Sequence, residues 1–431
     1  RDALALQAKA PQDEDRSRGP PRSTAVAVVL LASFWASAPT FAGQDAQDFP
    51  RIERGRYLAI VGDCSACHTR PGGGQAFAGG RPIETPFGIL ASPNITPDLG
   101  TGIGAWTDDE FVNALTRGTG RNGMHLYPAM PYTYMTKVTR DDALAIRAYL
   151  NTVAAVYNPV TVNQLAFPFD IREGMRAWNE LYFKPGTFQP HADKSPDWNR
   201  GAYLAEGLMH CGLCHTPKNA AGGDETSRHL QGYALQGWYA PNITNDDRLG
   251  LGGWSIEDIV AYLKTGHNRT SAASGPMAEE VALSSSKMTD ADLRALAVYL
   301  KDQPGEGRET PKAASDGVMK MGAAIYADEC SACHTPKGTG IPELFPSLAG
   351  APSVQQADST SILRVVLRGT RSAATDGAPT GPGMPSFGWL LTDEQVAAVA
   401  TYIRQAWGNS APPVSASDVA SARQSLVERS D

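Results

Sequence analysis

The chain has 431 residues, 42% of them apolar and 19% charged, with a formal net charge of −7. That balance describes a folded protein of about three domains at roughly 150 residues each, and it excludes an intrinsically disordered chain. The negative charge argues against nucleic acid as a partner.

Residues 1–42 read as a leader. Arg18 and Arg22 precede an apolar run from Ala25 to Trp35, and the small residues after it place a cleavage site near Ala42. The acidic, proline-containing stretch ahead of Arg18 does not suit a signal n-region, so the true chain start is expected to differ from Arg1. No later apolar run approaches about 18 residues, and the mature protein is not expected to span a membrane.

Beyond the leader the chain matches itself. Residues 50–156 carry "RGRYLAIVGDCSACHT", "SPNIT" and "GIGAWTDDEFVNAL"; residues 197–303 carry "RGAYLAEGLMHCGLCHT", "APNIT" and "GLGGWSIEDIVAYL" in the same order. A third unit, 317–408, shares the closing pattern. Thr139, Thr289 and Thr392 each open a helical stretch, with Tyr149, Tyr299 and Tyr402 following ten residues on. Thr392 and Gln395 spell a capping box, and Asp142 and Asp292 stand at the same offset in the other two units. Leu144, Leu150, Leu296, Leu300, Val396 and Ile403 supply the buried faces.

A short helical pattern precedes each cysteine motif. In the third unit Gly322 and Tyr326 share one face of it, so that a second helix can approach closely at the glycine. Strands are not evident. The segment 157–196 is a linker in which Ile171, Met175, Trp178 and Tyr182 form one stripe of an amphipathic helix. That stripe suits a bilayer interface or a seat between the first two units. Residues 304–316 read as a polar linker, and 409–431 as a tail with a weak helical pattern.

All six cysteines fall in three CxxCH triplets: Cys64, Cys67 and His68; Cys211, Cys214 and His215; Cys330, Cys333 and His334. CxxCH is the attachment signal of a c-type haem. Thiols three apart on one helical turn can form thioethers to both porphyrin vinyl groups, and the next residue can ligate the iron from below. Zinc sites and thiol redox pairs also use CxxC, but neither requires a histidine after every pair.

A methionine commonly completes such an iron. Met130 follows His68 by 62 residues, Met277 follows His215 by 62, and Met384 follows His334 by 50. These three, each beside proline or glycine, are the expected distal ligands; Met124 and Met288 break the interval. His267, close to Met277, is the alternative in the second unit. His125, His191, His210 and His229 follow no pattern, and no catalytic constellation of side chains is present.

In "GDCSACHT", "SPNITPDLGTGIGAWTDDEF", "HLYPAMPYTYMTKVTRDD", "WNRGAYLAEGLMHCGLCHTPKN" and "GPMAEEV" the chain resembles the tri-haem cytochrome c subunit of bacterial membrane-bound dehydrogenases. That group serves alcohol, gluconate, fructose and aldehyde dehydrogenases, and the likeness runs from Glu53 to Trp407. It implies a mostly α protein of three tandem class I cytochrome c domains, the first two a close duplication. It implies a periplasmic complex at the outer face of the cytoplasmic membrane. There a large subunit carrying pyrroloquinoline quinone, FAD or molybdopterin, in some members with a small subunit, oxidises the substrate. Three covalent haems then relay electrons to ubiquinone, and this chain is no enzyme by itself. A free-standing or oxidase-linked multihaem carrier, or a peroxidase-type haem enzyme, are the alternatives.

Overall fold

The computed structural model describes residues 48–305, 307 and 311–427. The leader and part of the 304–316 linker lie outside the described residues.

The chain is mostly helical, and one helix pair recurs three times. A leading helix, Phe49–Val61, Pro196–Tyr203 or Asp316–Ile325, precedes each cysteine motif, and a closing helix, Arg140–Leu150, Asp290–Lys301 or Asp393–Gln405, ends each unit. Local chemistry starts these helices. Asp48 and Ser195 cap the first two leading helices, each with a proline in the first turn. Thr139, Thr289 and Thr392 accept from the backbone N–H three residues on, and Thr392 with Gln395 completes the expected box. Full boxes also form at Thr107 with Glu110 and at Ser255 with Asp258, in the "WTDDEF" and "WSIEDI" stretches.

Within each unit the leading and closing helices cross at a glycine. A β-carbon on Gly55, Gly201 or Gly322 would overlap the carbonyl oxygen of Ala145, Ala295 or Ala398 respectively. The close approach expected at Gly322 therefore occurs, and it occurs in all three units. The second leading helix has one residue more than the first between its glycine and its cysteine, and it continues into a π-helical turn, Leu204–Leu208.

Asp142 and Asp292 do not reach back to their caps. They lock the first two units together reciprocally. Asp292 accepts from Arg200 of its own unit at 2.7 and 2.8 Å and from Tyr57 of the first at 2.6 Å. Asp142 accepts from Arg54 of its own unit at 2.7 Å and from Tyr203 of the second at 2.6 Å. The tyrosine oxygens in turn accept from the N–H groups of Thr289 and Thr139, both at 3.3 Å. This is the geometry of a two-fold interface within one chain.

Burial alone would raise the Asp292 carboxyl, but hydrogen bonds from Arg200 and Tyr57 outweigh it and hold the group below its ordinary value. Its stabilisation is therefore present above about pH 4 and is lost as pH falls through the depressed value. Asp292→Asn is expected to cost about 2 kcal/mol at neutral pH. Thermal unfolding at neutral and acidic pH checks this, and the difference from wild type should vanish in acid.

Besides a small cluster of Ala273, Val281 and Ala373, the apolar core falls into two large ones. One runs without a break through the first two units, from Leu58 to Leu300, and the other fills the third, from Tyr326 to Leu426. In the third, buried Arg404 donates to the carbonyls of Val354, Gln356, Ala357, Asp358 and Pro412. The tail has a place here: helix Ala416–Val427 inserts Val419 and Leu426 into the core, and Arg423 pairs with Asp393 at 3.0 Å.

Short strands are present as well. Pro82–Thr85 and Gly88–Ala91 form an antiparallel hairpin joined by Asn163–Leu165 from the linker; Tyr233–Leu235 pairs with Trp238–Ala240, and Thr370–Arg371 with Gly383–Met384. Two to four residues are too few to show alternation in sequence.

The linker helix is Gly174–Tyr182, so Ile171 falls ahead of it. Its stripe faces the protein: Met175 is buried, Trp178 Nε1 donates to the Ala221 carbonyl at 2.9 Å, and Asn179 accepts from Tyr132 at 2.7 Å. The bulky groups of the linker left exposed are Tyr157, Phe167, Phe169, Ile171 and Leu181, with Tyr182 of the stripe partly so.

Candidate haem sites

Each cysteine motif forms one helical turn. Cys64–His68 and Cys211–His215 are five-residue helices, and Ser331–His334 continues directly from a π-helical turn, Tyr326–Cys330. In the first two units the leading helix is broken just before the motif by a left-handed residue, Asp63 (φ 50°) or His210 (φ 41°). Burial, then Glu280 and Glu279, push the Asp63 carboxyl up to about 8, while burial lowers His210 to about 4. Both are uncharged at neutral pH.

The three histidines share one arrangement. Nδ1 of His68 lies 2.8 Å from the Pro93 carbonyl, Nδ1 of His215 lies 2.6 Å from that of Pro241, and Nδ1 of His334 lies 3.0 Å from that of Pro346. A carbonyl only accepts, so Nδ1 carries the proton and the Nε2 lone pair is left for a metal. Burial lowers all three imidazoles, which keeps them neutral. Sequence reasoning did not assign these prolines. The signal was the repeated "PNIT", whose proline carbonyl does this work in two of the three units.

The thiols are unlike those of a thiolate site. Burial raises Cys64 to about 12 and Cys67, Cys214 and Cys330 to about 11, and it raises Cys211 as well. A zinc ligand or a redox thiol needs surroundings that lower this value. Nor do three or more His, Cys, Asp or Glu side chains converge as a metal-holding group among the described residues. Neutral thiols awaiting thioether bonds fit these surroundings.

A cavity of about 2200 Å³ runs along the motifs. Cys211, Cys214, His215 and Met277 wall it in the second unit, Cys330, Cys333, His334 and Met384 in the third, and Cys67 from the first. Cys64, His68 and Met130 do not line it. A usual small-molecule pocket is about 300–1,000 Å³, so this one has room for more than one large flat group.

Met130 precedes the short helix Tyr132–Met135 and packs half-buried on the first core; Met277 opens helix Pro276–Leu283; Met384 ends a strand against the third core. The methionines set aside lie elsewhere: Met124 is 44% exposed, and Met288, 1% exposed, is core. His267 is buried with Nδ1 3.2 Å from the Thr265 carbonyl, and it does not line the cavity that Met277 shares with His215.

Helical CxxCH turns, histidines whose Nδ1 is held by a carbonyl, and a large, mostly apolar cavity along the motifs are the marks of a c-type cytochrome. The Cytochrome c family model matches residues 52–154 and 319–407. Over 396 residues the chain is 40% identical to the gluconate 2-dehydrogenase cytochrome c subunit of Pantoea cypripedii, covering 86% of this chain and 89% of that protein. It is 38% identical over 414 residues to the cytochrome c subunit of the quinone alcohol dehydrogenase of Gluconobacter oxydans strain 621H, covering 90% and 86%. To the fructose dehydrogenase cytochrome subunit of Gluconobacter japonicus it is 37% identical over 440 residues, covering 94% and 89%. The chain belongs to this family of dehydrogenase cytochrome c subunits, which carry covalent haem c and transfer electrons without themselves being the catalytic subunit.

Proposed function

We propose that this chain carries three haems in three cytochrome c domains, 50–156, 197–303 and 317–408, and relays electrons from a periplasmic dehydrogenase to ubiquinone. The observation that carries the reading is the threefold repetition of a CxxCH turn whose histidine Nδ1 is held by a proline carbonyl. Cys64 and Cys67, Cys211 and Cys214, and Cys330 and Cys333 hold the porphyrins. His68, His215 and His334, together with Met130, Met277 and Met384, would ligate the irons.

The haem supplies the one-electron chemistry. The protein orients each imidazole, excludes water, and completes the iron with thioether sulfur, which favours the reduced state. Met130, Met277 and Met384 would take the place on each iron that a substrate would need, which favours electron transfer as the role. The names of the relatives support a partner that oxidises a sugar acid, an alcohol or a sugar.

No helix among the described residues is long and apolar enough to cross a membrane. Phe167 (79% exposed) and Leu181 (74%) give the linker an apolar outer surface suited to the bilayer interface. Mild solubilisation of native membranes, followed by capture of this chain, tests the reading. A large subunit bearing pyrroloquinoline quinone, FAD or molybdopterin should accompany it; recovery of the cytochrome alone would leave a free-standing carrier.

A further inference from the structure

The duplication provides an internal comparison, and one feature of the second unit is missing from the first. Glu206 sits on the π-helical turn Leu204–Leu208, five residues before Cys211. Its Oε1 accepts from Tyr299 Oη at 2.7 Å and faces His229 Nε2 at 2.9 Å. His229 Nδ1 lies 3.3 Å from Thr216 Oγ1, beside the proximal histidine.

Matching hydrogen bonds align the two units here. Phe77 and Leu230 donate to Thr69 and Thr216, and Gly79 and Gly232 to the carbonyls of His68 and His215. His229 therefore corresponds to Ala76. Glu206 corresponds to Ala59 or Ile60, according to where the extra residue is counted. Tyr149 stands where Tyr299 does. The first unit thus keeps the tyrosine and lacks both ionisable groups. A π-turn is also the kind of irregularity that marks functional positions.

We propose that Glu206 and His229 are the proton-linked site of the relay, tying reduction of the haem at Cys211 and Cys214 to uptake of a proton by His229. The inference rests on a haem being attached there. One electron arriving from the dehydrogenase converts ferric to ferrous iron, and one proton from solvent binds the imidazole, whose side chain is 33% exposed. Thr216, a hydroxyl, can turn from donor to acceptor as Nδ1 gains its proton.

The charges facing this pair are few. Asp224 and Lys218, from the loop after the motif, act on His229; Lys137, from the first unit, acts on Glu206. Burial alone would lower His229, but the hydrogen bond and charge of Glu206 outweigh it and raise the group above its ordinary value. Glu206 acts in turn on the Cys211 sulfur position. Below the His229 value the pair is neutral overall. Above it a net negative charge remains near the haem and favours ferric iron, so that haem becomes harder to reduce as pH rises.

Redox titration of the haem-loaded full chain at a series of pH values tests this. One of three midpoints should fall as pH rises through the His229 titration, the reduction equilibrium dropping by up to about tenfold per pH unit. In His229→Ala, which installs the first unit's residue, that midpoint should become independent of pH; in Glu206→Gln the dependence should move to lower pH. His229→Gln replaces His229→Ala if the latter fails to load haem. Three flat midpoints in wild type, or a dependence unchanged by His229→Ala, would overturn the inference. Protein mass from the same samples separates the failures: a haem on the second motif with a flat midpoint sinks the inference alone, whereas its absence sinks the reading beneath it.

Discussion

Gly201→Val is expected to prevent the second unit from assembling, and Gly55→Val and Gly322→Val to do the same in the first and third. At each crossing the new β-carbon would meet a backbone carbonyl, not a side chain that can turn away. Relief requires separating the two helices that frame the unit. The cost is about 3 kcal/mol or more, at the upper end of overpacking. Gly253→Ala is the control, since nothing lies within 4 Å of its added carbon; it should stay within about 0.5 kcal/mol of wild type. Denaturant unfolding of the haem-loaded proteins measures both. A Gly201→Val protein as stable as wild type would show that the helices do not meet as described.

Replacing Cys211 and Cys214 together with alanine should remove one haem of the three and nearly all electron throughput. On the three-haem reading proposed above, the second site would be the bridge. Its cavity is continuous with that of the third, and Cys67 of the first lines the same cavity. The variant should keep two haems, visible in its absorption spectrum, while quinone reduction by the complex collapses. The same double change at Cys330 and Cys333 should also remove one haem, yet leave electron exchange between the first two sites intact. Full throughput without the second haem would mean that the path runs elsewhere.

Much of this was legible in the sequence because the chemistry is local. A CxxCH turn, a Thr cap and a helical stripe are set by neighbours within a few residues, and repetition raised each above chance. What stayed hidden depends on distant parts of the chain. Asp142 and Asp292 looked like capping residues, but Tyr203 and Tyr57, 61 and 235 residues away, recruit them across the interface. The linker stripe at Met175 and Trp178 gave no sign of its partner, because Ala221, which accepts from Trp178, lies 43 residues on. The tail gave only a weak helical pattern because only Val419 and Leu426 need face a core that others had built. Gly55 and Gly201 could have been found, since "RG" and "YLA" flank both motifs.

Three covalent haems are the central proposal, and the mass of the intact mature polypeptide after denaturation tests it most directly. Thioether-bound haem survives unfolding, whereas a metal held by neutral imidazole or free thiols is lost with the fold. The expected result is the polypeptide mass plus three haems, with peptides bearing one haem each from the segments around Cys64, Cys211 and Cys330. A bare polypeptide, or a haem missing from any of the three segments in fully matured protein, would contradict it.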